Sequence, residues 1–149
     1  MSGLLIRHGE WVVVCDGAKA LVLENAGDIK FPNLKTIEVL EHKDLATREQ
    51  GTDKPGRSHS SVGPGRSAVE QTDWHAQAEQ TFLVQLAARL DTAVTSGKVK
   101  SLIVVAPPRA LGILRPAYSH ALKGAVRAEV DKDLVKQPVA EIEKRLTAA

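Results

Sequence analysis

Two short runs constrain this chain more than anything else in it: WVVVCD at 11–16 and SLIVVA at 101–106. Both are β-branched and almost unbroken in apolar character. A strand with one face in water alternates apolar and polar residues, whereas a strand covered on both faces has no such alternation. The chain must therefore build a sheet with other elements packed over it. At 149 residues it has the length of one domain, enough to bury a sizeable core.

Around those runs the other elements fall into place. Asp16-Gly17 is a hairpin signal, and KALVLE at 19–24 returns as a second strand. KTIEVLEH at 35–42 alternates, with one slip, Ile37 and Val39 inward against Glu38 and Glu41 outward, which predicts a third strand at an edge. KPGRSHSSVGPGRS at 54–67 has no apolar period and no carboxylate. Nine of its fourteen residues are Gly, Pro or Ser, which predicts a flexible basic loop spanning about 43–70. From Asp73 the period changes. Trp74, Ala78, Phe82, Leu86, Leu90 and Val94 recur every four residues, the stripe of an amphipathic helix with Thr72 or Asp73 as N-cap and Gly97 as its stop. VKSLIVVA at 99–106 is a buried strand, and 107–124 reads as one helix bent at a proline and ended by Gly124. AVRAEV at 125–130 is a fifth strand, and Pro138 opens a closing helix with Val139, Ile142 and Leu146 on its apolar face. The order βββ-α-β-α-β-α predicts a single α/β domain with a mixed sheet, of ribonuclease-H-like or release-factor middle-domain type.

Composition excludes several classes. Aromatic residues make up 3% of the chain, too few for the stacking platforms that read single-stranded nucleic acid. A net charge of +2 names no partner by itself. The lone Cys15 cannot form an internal disulfide, and residues 1–6 are too short for a signal h-region, so a cytoplasmic setting is expected. No apolar run approaches a membrane span, and no membrane partner is expected.

Two enzyme readings lack parts. LLIRHGEWVVV at 4–14 resembles the opening of a histidine phosphatase, in which His8 would attack a phosphoryl group and Arg7 steady its charge. The second His should follow a later buried strand, but SLIVVA is followed by Pro107-Pro108-Arg109, and His120 falls within a predicted helix. Arg7-His8-Gly9 then reads as a turn. A two-metal nuclease needs carboxylates at the ends of several strands. Asp16 and Glu79 are candidates, yet the fourth strand ends in Ala106-Pro107, and Asp131 and Asp133 do not replace the missing ligand. Asp16 suits a hairpin turn better. The five His residues (8, 42, 59, 75 and 120) show no metal spacing. No catalytic set, metal site or cofactor is expected.

The segments VVVCDGAKALVLE, DWHAQAEQTFLVQLAARL and SLIVVAPPRALGILRPAYSHALKGAVRAEVDKDLVKQPVAEIEKRL together resemble the bacterial host-attachment protein family. That family is in turn similar to the middle domain of eukaryotic and archaeal peptide-release factors. The resemblance implies a role in attachment to host cells and a ribosome or structured-RNA partner; with no catalytic set and no secretion signal, a non-catalytic cytoplasmic module that affects attachment indirectly is expected. In the release factors, Gly-Gly-Gln before the long helix enters the peptidyl-transferase centre. Here the corresponding stretch is Gly63-Pro64-Gly65-Arg66-Ser67, and Gly-Gly-Gln occurs nowhere. Release-factor-type hydrolysis is therefore not expected. Lys54, Arg57, Arg66 and Ser67 are the candidate phosphate contacts in the loop, since glycine backbones approach phosphates closely. Arg109 and Arg115 follow a strand end, where α/β sheets place ligands; either could instead pair with Glu141 or Glu143. Two alternatives remain: a hydrolase using Asp16 or His8, and a homodimeric interaction module pairing through the edge strand Thr36–Glu41.

Overall fold

The computed structural model describes residues 4–41 and 64–147, and side chains throughout that range except at 64–75. Five strands form one sheet: β1 (Trp11–Cys15), β2 (Lys19–Asn25), β3 (Leu34–Glu41), β4 (Leu102–Ala106) and β5 (Val126–Asp131). Among the described residues four helices are interleaved: α1 (Pro64–Thr95), α2 (Pro108–Ala117), α3 (His120–Ala125) and α4 (Val139–Thr147). The sheet order is β3-β2-β1-β4-β5. The first three strands are antiparallel neighbours, while β4 runs parallel to β1 and β5 parallel to β4. This is the mixed α/β sheet that the element order predicts.

The unbroken apolar runs become β1 and β4, side by side at the centre, and every residue of both is buried. Alternation sends Trp11, Val13, Cys15, Val104 and Ala106 to one face, against Phe82, Leu83, Leu86 and Leu90 of α1 and Leu111 and Leu114 of α2. Val12, Val14, Ile103 and Val105 go to the other face, where Leu134, Val135 and the α4 residues Ile142 and Leu146 cover them. Burial pushes the Cys15 thiol up to about 12, with the neighbouring Asp16 charge adding to the shift.

α1 ends where the sequence places its stop. Gly97 adopts φ 85°, and the Lys98 N–H reaches back to the Ala93 carbonyl at 2.9 Å, the glycine-dependent closure of a helix. Its start does not agree with the prediction. The helix begins at Pro64 rather than near Asp73, so residues 64–70, expected in the loop, are helical. Pro fits the first helical position because its missing N–H would have no partner there.

Two further predictions need correction. Ile37 and Val39 are not inward: they are 45% and 50% exposed, while Glu38 and Leu40 turn toward α1. The cause is a register shift between Val22 and Leu23, which pair with Glu38 and Thr36 and leave Ile37 as an extra residue. That bulge and the charges of Lys35, Glu38 and Glu41 are devices that blunt an edge strand. Residues 107–124 form two helices, not one. Pro116 lies inside α2, and the break comes at Tyr118-Ser119, where the Ser119 side chain caps α3 by accepting from the Leu122 N–H. The fourth and fifth strands also start later than predicted, at Leu102 and Val126.

Candidate functional site

At the C-terminal ends of β1 and β4, a hairpin, the middle of α1 and the start of α2 meet. Asp16 Oδ1 accepts from the Ala18 and Lys19 N–H groups, each at 2.9 Å, and so holds the hairpin turn. Gly17 sits directly beneath the Glu79 side chain. A Cβ on Gly17 would collide with the Glu79 carboxylate, so the absence of a side chain there leaves room for that carboxylate over the turn. Glu79 in turn receives a hydrogen bond from Arg109 Nε at 2.7 Å. The pair is asymmetric: the Arg109 side chain is 66% exposed and that of Glu79 only 21%. The result is an outward guanidinium leaning on a half-sheltered carboxylate, at the edge where α/β sheets place ligands.

The long helix gives this edge its shape. Residues 64–78 precede Glu79 in α1, a length of about 22 Å at 1.5 Å per residue, so these turns continue past the sheet edge. The chain leaves β3 at Glu41, close to Lys19 of the same hairpin at 3.9 Å, and enters α1 at Pro64. Lys54 and Arg57 lie outside the described residues. Arg66 and Ser67 fall in the first turn of α1, with their side chains outside the described set.

Arg115 does not join Arg109. Its Nε donates to Glu129 Oε1 at 2.8 Å, while the Tyr118 hydroxyl donates to Glu129 Oε2 at 2.8 Å. Burial, reinforced by Glu129, holds the Tyr118 hydroxyl above its ordinary range, so it stays a donor. The expected arginine partners are thus replaced. Arg109 takes Glu79 and Arg115 takes Glu129, whereas Glu143 accepts from the Leu34 N–H and Glu141 accepts from Arg145. Sequence spacing could not reveal the two arginine pairs, because each is closed by the packing of α2 on its neighbours, whereas Glu141–Arg145 is an ordinary i,i+4 pair within α4.

The hydrolase candidates are occupied by structural bonds. Arg7-His8-Gly9 forms a turn into β1, and His8 Nδ1 is 2.7 Å from the Gly27 carbonyl. Glu79 faces an arginine. Among the described residues, no group of three or more His, Cys, Asp or Glu is placed to hold a metal ion. Among the described residues, the most perturbed carboxylate is one the sequence reading missed. Glu10, 3% exposed, takes two hydrogen bonds from Arg127, one from Ser101 and one from the Arg7 N–H. Burial alone would raise it; these donors outweigh burial and lower it to about 2. It ties the N-terminal ends of β1, β4 and β5 together, away from the Glu79 edge.

Comparison with known proteins supplies the context for this geometry. A family model for the bacterial archaeo-eukaryotic release factor family 12 matches residues 10–146. The chain belongs to that family. An uncharacterized protein of Rickettsia prowazekii (strain Madrid E) is 26% identical over 135 residues, covering 88% of each chain. The match carries the release-factor half of the sequence resemblance and lends no support to the host-attachment label. Among the described residues, no helix is long and apolar enough to cross a membrane.

Proposed function

We propose that this protein is a non-catalytic binding module of the cytoplasm that contacts structured ribosomal RNA. The observation that carries the reading is the family match over 10–146, taken with the absence of Gly-Gly-Gln from the sequence. A release-factor-like body without that tripeptide keeps the means of docking and lacks the group presented to peptidyl-tRNA. The geometry supports the same edge as the contact. The chain leaves this edge at Glu41, carries Lys54 and Arg57 before α1 begins at Pro64, and α1 returns to the edge from a first turn that holds Arg66. Few cations mean weak, salt-sensitive binding, because each neutralised phosphate contributes a slope of about −0.9 in log K against log salt for duplexes. Any influence on host attachment, as the sequence resemblance implies, follows indirectly through translation.

Co-sedimentation with ribosomes at low and moderate salt tests the reading, with a Lys54/Arg57/Arg66→Ala variant run in parallel. The expected result is binding that falls with salt and is largely lost in the variant. Absence of the protein from the ribosomal pellet at both salts would remove the ribosome from consideration.

A further inference from the structure

The pair at the sheet edge carries a more specific consequence, which rests on the ribosome reading. We propose that Arg109 is a phosphate contact held in reserve by Glu79, and that RNA binds by taking the guanidinium away from this internal carboxylate. Three observations converge. Arg109 lies at the start of α2, just beyond the buried end of β4, with two thirds of its side chain in solvent. Its bond to Glu79 uses Nε at 2.7 Å, so the rest of the planar fork remains available for a bidentate phosphate contact. Glu79 is the sheltered member, its side chain lying over Gly17 from α1. Beside an incoming phosphate its carboxylate repels that anion. In the free protein Glu79 masks a cation; in the complex it opposes the phosphate. Arg115 has no comparable freedom, since its partner Glu129 is held from the other side by Tyr118 as well.

The two partners should then act with opposite sign, which simple structural roles would not produce. Glu79→Gln removes the competing charge while keeping shape and hydrogen-bonding capacity, and ribosome affinity should rise about threefold to tenfold. Arg109→Ala should lower affinity by a similar factor and reduce the magnitude of the salt slope by about one, as expected for one lost phosphate contact. Arg109→Lys should recover part of the affinity, because a cation remains. Ribosome co-sedimentation of the full chain over a salt series reads all four proteins, with melting temperatures establishing that each is folded.

If the wild type fails to bind, the ribosome reading itself falls. If the wild type binds while Arg109→Ala leaves affinity and salt slope unchanged, the ribosome reading stands and this inference is overturned. A Glu79→Gln variant that binds no better than wild type, or worse, would equally overturn it, since Glu79 would then be a support for Arg109 and not a competitor. Should Glu79→Gln lose the fold, Glu79→Ala provides the same charge removal without a hydrogen-bonding head.

Discussion

At the scale of single residues, two buried polar side chains, Glu10 and Asn25, organise the described part of the molecule, and no motif gave either a role. Asn25, fully buried, donates from Nδ2 to the Ile6 carbonyl at 2.8 Å, and its Oδ1 accepts from the Gly27 and Asn33 N–H groups. One amide thereby closes the β2–β3 turn and fastens the N-terminal segment to it, which satisfies groups that would otherwise be costly to bury. Glu10 does the same for the other end of the sheet through Arg127 and Ser101. Since its folded value of about 2 lies below the ordinary 4.5, its contribution is fully present above pH 4.5 and is lost as pH falls toward 2. Denaturant titrations from pH 6 down to 2.5 should show stability falling through that window, with a smaller fall in Glu10→Gln. Arg127→Ala, which leaves a buried carboxylate without its counter-charge, should cost roughly 3 kcal/mol at pH 7 by the same titration. Sequence reading passes over both residues because a polar side chain beside a strand looks the same whether it is solvated or buried.

Among the elements, legibility follows the strength of the local signal. The central strands were readable because covered strands have a composition of their own, and the α1 stripe because Ala78, Phe82, Leu86 and Leu90 all reach the core at a helical period. β3 was readable as a strand but not in its facing. One extra residue at Ile37 reverses the parity on either side of it, and no composition announces a bulge. The first turns of α1 were hidden because Pro64-Gly65-Arg66-Ser67 carries loop composition into a helix that later residues propagate. The split between α2 and α3 shows the converse. Pro116 drew the eye, yet Ser119 marks the boundary, because a capping hydroxyl starts a helix more surely than a late proline ends one. Ser119 also donates to Asp91 on α1, so it both caps α3 and docks it. Ser119→Ala should therefore cost about 1–2 kcal/mol in chemical denaturation, and Ser119→Asp should not rescue it, since a second carboxylate would face Asp91.

For the molecule as a whole, the fold agreed with the sequence reading and the family match bore out its release-factor half without the host-attachment label, while the site was legible only as a list. Arg109 and Arg115, singled out as candidates after a strand, are exposed, but their carboxylate partners come from α1 and β5, elements that chain distance does not bring near. Lys54 and Arg57 remain sequence candidates outside the described residues. The protein has a single thiol, and it lies in the innermost strand, wholly shielded and reluctant to ionise. A thiol reagent can reach Cys15 only when β1 is exposed, so its labelling rate is a clock for opening of the entire sheet. Under native conditions labelling should be slow, and its dependence on denaturant should equal that of global unfolding. Rapid labelling in plain buffer would reveal a partial opening at β1. Because the chain carries no other sulfhydryl, labelling read from its own mass keeps the same clock running while ribosomes are present, and a bound partner that steadies the fold would slow it in proportion to its occupancy.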